Sequence, residues 1–124
     1  MGYSAFLERM GEVNDLLNAK SILSWDAKTM MPPGGADTRA KQLATLTVVA
    51  RDHLVADETR RLLEQAEAET ANLASDSVER TICGQVREAI EYHLRIPTAL
   101  VHKRAEVGSI GQHIWAKARA ESDF

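Results

Sequence analysis

The sequence predicts an all-α protein of about five helices, arranged as an antiparallel bundle or an array of helical hairpins. Apolar residues recur every three or four positions along almost the whole chain, which is the spacing of one helical face. No stretch alternates apolar and polar residues for long enough to indicate a strand or a significant β-sheet. Prolines, glycines and capping residues interrupt the helical pattern at a few points, and these interruptions separate the helices.

The first helix is predicted from an opening segment whose apolar side chains share one face: Tyr3, Phe6, Leu7, Met10, Val13, Leu16, Leu17 and Leu23. The pair Trp25-Asp26 is predicted to close this helix. The prolines at 32 and 33 disfavour helix just before them, because the proline ring clashes with the preceding residue. The glycines that follow allow the backbone to turn before a second helix begins.

The second helix is expected from about Ala36 to near His53, with Asp37 at the favourable end of its dipole. Asp57 is predicted to cap the third helix, and Asp76, with Glu79 three residues on, the fourth. The predicted buried positions of these three helices are Ala40, Leu43, Thr47, Ala50, Leu54, Leu62, Leu63, Ala66, Leu73, Val78, Ile82, Val86, Ile90 and Leu94.

Pro97 ends the fourth helix and suits the first turn of a fifth. The predicted buried positions of that helix are Leu100, Val101, Val107, Ile114 and Ala118. Gly108 and Gly111 each cost it about 1 kcal/mol relative to alanine, so we interpret them as a tight crossing with another helix. The ending Ser122-Asp123-Phe124 is typical of the cap and first residue of a further helix, which suggests a chain truncated at its C-terminus.

Composition limits the classes of protein that fit. The 124 residues, 44% of them hydrophobic, are enough for a single domain spanning residues 1–124. Acidic and basic residues are mixed along the chain, with a net charge of -3, so no nucleic-acid partner is expected. The N-terminus lacks the pattern of a signal peptide, and no run of about 20 apolar residues indicates a membrane segment. We expect a cytoplasmic protein without a membrane partner.

The residue types that bind metals do not form a metal site in the sequence. The histidines at 53, 93, 102 and 113 include no pair four residues apart, and none is followed by glutamate, so the His-Glu-x-x-His pattern of zinc peptidases is absent. Cys83, the single cysteine, lies between Ile82 and Val86 on an apolar face and is expected to be a buried structural thiol. We therefore assign no catalytic or metal-binding residue.

The segment from Trp25 to Gln42 supports two interpretations. Structurally, Trp25 is a large core anchor, Asp26 accepts hydrogen bonds from loop amides, and the proline-glycine run forms a rigid corner between helices. Functionally, the corner lines the wall of a peptide-binding cleft, where Arg39 pairs with a carboxylate of the protein or of a substrate. The candidate residues for either role are Trp25, Asp26, Thr29, Met31, Pro32, Pro33, Gly34, Gly35, Arg39 and Gln42.

The same segment carries a resemblance to a known family. The spelling SWDxxTxMPPGGAxxRxxQLATL, from Ser24 to Leu46, resembles the N-terminal signature of the carboxypeptidase Taq family of metal-dependent carboxypeptidases. The opening helix and the segments 95–101 and 115–119 also match that family's pattern. The resemblance implies proteolysis that removes C-terminal residues from peptides, with a divalent metal of the zinc or cobalt type held by two histidines and a glutamate. Those ligands would lie beyond the end of this chain.

Two hypotheses of different classes follow. In the first, residues 1–124 are the N-terminal helical wall or lid of such a metallopeptidase, inactive alone and partnered by the enzyme's C-terminal catalytic region. Peptide substrate would then bind only in the full-length context. In the second, the chain is a stand-alone helical interaction module that buries an apolar stripe by self-association or against another protein.

Overall fold

The computed structural model describes residues 1–123, and five α-helices account for most of them. Their bounds are α1 Gly2–Thr29, α2 Ala36–Val55, α3 Asp57–Thr70, α4 Val78–Leu94 and α5 Thr98–Glu121. A short 3-10 helix, Pro33–Gly35, joins α1 to α2. No residue from 1 to 123 belongs to a β-strand. The predicted all-α class with five helices is therefore confirmed.

The first helix runs further than the sequence predicted. It continues past Leu23 to Thr29, so Trp25 and Asp26 lie inside α1 and do not close it. Helix is disfavoured for Met31, which directly precedes Pro32, and the backbone of Pro32 is extended, with φ -63° and ψ 148°. The first proline therefore sets the end of α1, which lies beyond the Trp-Asp pair.

The caps of the middle helices differ from prediction by one residue. Ser77 and not Asp76 caps α4, because its Oγ accepts a hydrogen bond from the backbone N–H of Arg80 at 3.4 Å. Asp57 is the first residue of α3, after Ala56 in the cap position, where its charge still suits the helix dipole. Ser122 ends α5 in the left-handed conformation, with φ 52°, and so acts as a C-cap. The predicted start of a further helix at Phe124 lies outside the described residues.

The chain divides into two compact units. Unit 1 comprises Met1–Asp15 and Ala50–Ile96, and unit 2 comprises Leu16–Val49 and Pro97–Phe124. The long helices α1 and α2 each contribute residues to both units. The two units differ in how completely they bury their apolar side chains.

Unit 1 has a well-formed hydrophobic core. Its buried members come from four helices and are Phe6, Val13, Leu54, Leu63, Ala66, Cys83 and Ile90. Phe6, fully buried, is among the largest of these side chains, and the ring of Tyr3 lies 6.3 Å from it. The predicted burial of Cys83 is confirmed, and desolvation raises the pKa of its thiol above the ordinary value, which keeps it protonated.

Polar contacts in unit 1 satisfy buried groups where α2 ends and α3 begins. The hydroxyl of Thr59, which is fully buried, donates to the backbone oxygen of His53 at 2.6 Å and accepts from Nε of Arg9 at 2.9 Å. Two residues before His53 on α2, Nη2 of Arg51 donates to the backbone oxygens of His93 and Ile96, each at 3.0 Å. A cation thus lies against backbone oxygens at the C-terminal end of α4, where the helix dipole favours positive charge.

The His93 ring is the pH-sensitive part of this arrangement. Burial, together with the positive charge of Arg51, lowers the pKa of His93 below its ordinary value, and its buried Nδ1 has no hydrogen-bond partner among the described residues. The unfolded chain therefore binds a proton at His93 more readily than the folded chain does. Stability should fall as pH decreases through about 6.5, until the folded ring itself becomes protonated.

We expect His93→Gln to flatten the dependence of the unfolding free energy on pH between about 7 and 5, since the variant has no ring to protonate. Urea denaturation across that range measures the slope. A slope that survives in His93→Gln would place the acid sensitivity elsewhere. The hydrogen bond with His53 lowers the pKa of Glu12. Glu12 therefore contributes to the pH dependence of stability only below about pH 4.5.

Unit 2 buries far fewer apolar side chains than unit 1 does. Its buried side chains among the described residues are those of Ala40, Leu43 and Ala44, and α5 contains no buried residue. The predicted burial of Leu100, Val107 and Ile114 is wrong, because each is at least half exposed. In unit 1, Leu73, Val78 and Leu94 are likewise exposed against prediction. The described residues cover these six side chains only in part and leave them 43% to 69% exposed.

The predicted tight crossing at Gly108 and Gly111 is also wrong for the described residues. A Cβ added at either glycine would meet no atom within 4 Å outside its immediate helix neighbourhood. Both residues are exposed. Across the described residues, no helix has the length and apolar character needed to cross a membrane.

Candidate functional site: a helix corner and its groove

The corner, residues 25–42, is held together by Arg39 of α2. Nη1 of Arg39 donates to the carboxylate of Asp26 and to the backbone oxygen of Leu23, both at 2.8 Å. Nε of Arg39 donates to the side-chain oxygen of Gln42 at 3.2 Å. The guanidinium thus ties α2 to the last two turns of α1 through bonds that match its fixed donor geometry. The ion pair with Asp26 gives Arg39 a carboxylate of the protein, which is one of the two partners predicted for it.

Asp26 accepts hydrogen bonds from loop amides as predicted, but Trp25 does not play its predicted structural part. The carboxylate of Asp26 accepts from a guanidinium, while its backbone oxygen accepts the N–H groups of Met30 and Met31. Trp25 is 62% exposed and is not a core anchor. The Thr29 hydroxyl donates to the Trp25 backbone oxygen at 2.8 Å, as hydroxyls within helices often do. Trp25 thus presents its indole to the surface.

The proline-glycine run forms one turn of 3-10 helix. The N–H of Gly35 donates to the Pro32 oxygen at 2.9 Å, and no glycine among the described residues has a positive φ. The backbone turns at this run as predicted, but without the left-handed conformation that favours glycine. A Cβ on Gly35 would lie 3.2 Å from Cγ of Met31, whereas one on Gly34 would meet nothing within 4 Å. Close packing against Met31 explains glycine at 35 but not at 34.

The two glycines should respond differently to an added methyl group. Gly34→Ala should raise the free energy of unfolding by about 0.5 to 1 kcal/mol, because alanine restricts the unfolded chain and the native backbone accepts it. Gly35→Ala should gain less, or lose stability, because Met31 must move to accommodate the new methyl group. Thermal unfolding of the two variants measures the difference. Equal gains would show that Met31 adjusts freely.

Beside the corner, unit 2 contains a groove of about 340 Å3. α1 contributes Lys20, Ser24, Ala27 and Lys28; the corner and α2 contribute Met31, Ala36 and Leu43; and α5 contributes Ala105, Gly108, Ser109, Gln112, His113 and Ala116. Small side chains keep it open, and its charged lining residues are both lysines. Of the corner's candidate residues, Met31 alone lines this groove, while Trp25 lines a shallower neighbouring depression that shares Lys20, Ser24 and Lys28.

Sequence reasoning missed the groove. Its α1 lining residues recur with helical spacing, but they are small or basic, so a search for apolar periodicity passes over them. The α5 lining residues lie on the face roughly opposite Leu100, Val107 and Ile114. The apolar face of α5 is therefore the exposed one, and its small and polar face lines the groove.

The described residues do not fit a resident metal ion. Among residues 1–123, no three His, Cys, Asp or Glu side chains lie close enough together to hold one. Nε2 of His53 lies 2.5 Å from the carboxylate of Glu12, and His93 lies beside the cationic Arg51, which disfavours a second cation there.

Comparison with known proteins identifies the class to which the chain belongs. A family model described as carboxypeptidase Taq (M32) metallopeptidase matches residues 5–124. The chain belongs to this family, as its resemblance to the N-terminal signature indicated. No solved structure matches the chain.

Two curated relatives are thermostable carboxypeptidases. Thermostable carboxypeptidase 1 of Thermus thermophilus is 27% identical over 124 residues, which cover 98% of this chain and 24% of that protein. Thermostable carboxypeptidase 1 of Pyrococcus furiosus is 28% identical over 107 residues, covering 86% of this chain and 21% of that protein. The chain thus spans about a quarter of the length of these relatives and matches their N-terminal regions.

Proposed function

We propose that residues 1–124 form the N-terminal helical wall of a metal-dependent carboxypeptidase whose metal and catalytic groups are supplied by a C-terminal catalytic region. The match to the family across residues 5–124 carries the proposal. The relatives extend well beyond the part that this chain matches. A divalent metal of the zinc or cobalt type would belong to the catalytic region, since residues 1–123 contain no suitable cluster.

In this proposal the corner has a positioning role. Arg39 fixes the end of α1 against the start of α2, which leaves Trp25 and the exposed Pro32-Pro33 run on the surface. An exposed indole beside a rigid proline turn is suited to contact a peptide chain, because it offers apolar area with little conformational entropy to lose. We assign the cleft-wall role to Trp25 and its neighbours, and no chemical step to any residue.

The exposed apolar residues of unit 2 are expected to be covered by another part of the complete enzyme. Soluble proteins rarely leave large contiguous apolar patches exposed unless another surface covers them. On α5 the exposed positions Leu100, Val107 and Ile114 recur every seven residues, which places them along one stripe. A stand-alone module that self-associates would also cover this stripe, so the two functions need an experiment to separate them.

Purified residues 1–124 should bind less than stoichiometric zinc or cobalt and should release no C-terminal residues from peptides. Mass spectrometry of the metal content and an amino-acid release assay measure the two quantities. Co-expression with the catalytic region should restore both metal and activity. Stoichiometric metal together with C-terminal release by residues 1–124 alone would overturn the proposal. A stable homodimer that ignores the catalytic region would favour the interaction module.

A further inference from the structure

The groove of unit 2 is a basic site that lacks internal partners. Lys20 and Lys28 line it, and within residues 1–123 neither ammonium group forms a hydrogen bond or an ion pair. The same holds for the imidazole of His113, and no acidic side chain lines the groove. The two lysines are therefore available to a partner that brings negative charge.

The net charge of unit 2 also favours a negatively charged partner. The chain has a net charge of -3, yet unit 2 contains eight Lys and Arg residues against five Asp and Glu residues. Unit 1 contains seven Lys and Arg residues against thirteen Asp and Glu residues. Although acidic and basic residues are mixed along the sequence, unit 2 has a net positive charge. Among the described residues, no acidic side chain lines the groove of unit 2 to neutralise the two lysines. Such a field attracts an acidic partner and repels a basic one.

The shape of the groove favours a helix as the occupant. Small residues line it from both helices, which lets another backbone approach closely; they are Ser24 and Ala27 on α1 and Ala105, Gly108, Ser109 and Ala116 on α5. Lys20 and Lys28 are eight residues apart on α1, which corresponds to about 12 Å along the helix axis. Two carboxylates at a similar separation on a helix lying in the groove would meet both ammonium groups. Ser24, between the lysines, and Gln112 on α5 supply further hydrogen-bonding groups.

We infer that this groove receives an acidic amphipathic helix, with its carboxylates on Lys20 and Lys28 and its small apolar side chains against Ala27, Ala105 and Gly108. This inference rests on the proposed function in taking that helix from the catalytic region. About three quarters of each curated relative lies outside the part matched by this chain, so the occupant has a source within the same enzyme.

The test uses residues 1–124 and a helical alanine-based probe peptide of about 20 residues with two glutamates eight positions apart. Calorimetric titration at low salt should show binding, and the same peptide with glutamine in both positions should bind about tenfold more weakly. Lys28→Glu should weaken binding of the glutamate peptide by at least that factor. Lys41→Glu on α2, which makes the same charge change outside the groove, should change it less than about twofold.

A second pair of variants tests shape without changing charge. Gly108→Leu fills the groove and should abolish binding, whereas Gly111→Leu, on the same helix but outside the lining, should leave it unchanged. Circular dichroism checks that both variants fold. Equal binding of the two peptides, equal effects within either variant pair, or no binding at millimolar peptide would overturn the inference.

Sedimentation of residues 1–124 alone tests a second copy of the chain as occupant. A dimer that Gly108→Leu dissociates would assign the groove to self-association and overturn the inference. None of these measurements reads metal content or peptidase activity. The acidic-helix inference can therefore fail while the proposed function stands, and the metal and activity assays can fail while the peptide still binds.

Discussion

Phe6→Ala should lower the free energy of unfolding by about 3 to 5 kcal/mol, the largest effect expected from a single substitution in this chain. Phe6 is fully buried within the core of unit 1, so its removal loses the transfer free energy of the ring and leaves a cavity. Since domains of this size are stable by only about 5 to 15 kcal/mol, the variant should be marginally folded. Urea denaturation followed by circular dichroism measures the loss.

Leu7→Ala is the matched control. Leu7 follows Phe6 on α1 but is 42% exposed, so its truncation should cost about 1 kcal/mol or less. Phe6→Leu retains most of the buried apolar volume and should fall between the two. If Phe6→Ala cost no more than Leu7→Ala, the placement of Phe6 in the core would be wrong.

Arg39→Ala should cost about 2 kcal/mol, because one substitution removes the charged hydrogen bonds to Asp26, to the Leu23 oxygen and to Gln42. The Arg39 side chain is only 17% exposed, so water replaces these bonds incompletely. Arg39→Lys keeps the charge but not the planar fork of donors, and should recover part of the loss. Thermal unfolding of the wild type and the two variants measures these differences in stability.

Lys41→Ala, on the exposed side of the same helix, controls for the loss of a cation and should change stability by less than about 0.5 kcal/mol. A double-mutant cycle with Asp26→Asn isolates the ion pair from the other two bonds. Coupling near zero, together with an Arg39→Ala cost similar to that of Lys41→Ala, would show that Arg39 does not hold the corner.

Local chemistry explains what the sequence predicted well. The prolines at 32 and 97 set helix ends, because their effect on the preceding residue needs no tertiary contact. Apolar periodicity likewise identified the buried positions Phe6, Val13 and Ile90 of unit 1. The predicted cap at Asp76 was wrong by one residue, since Ser77 next to it can serve equally and the choice depends on packing.

Periodicity failed where it could not identify the covering surface. The stripe formed by Leu100, Val107 and Ile114 has the spacing of a buried face, but residues 1–123 do not cover it. A helical pattern predicts a buried face without indicating which surface covers it. The contact from Arg39 to the Leu23 oxygen was also unpredictable, because backbone acceptors have no signature in the sequence.

The most direct test of the central claim is to recover the native protein from its source with an antibody against residues 1–124 and to measure its mass, metal content and carboxypeptidase activity together. We expect a band several times larger than 13.7 kDa, with bound divalent metal and release of C-terminal residues. A native species of 13.7 kDa, whether it releases C-terminal residues or lacks activity altogether, would contradict the account.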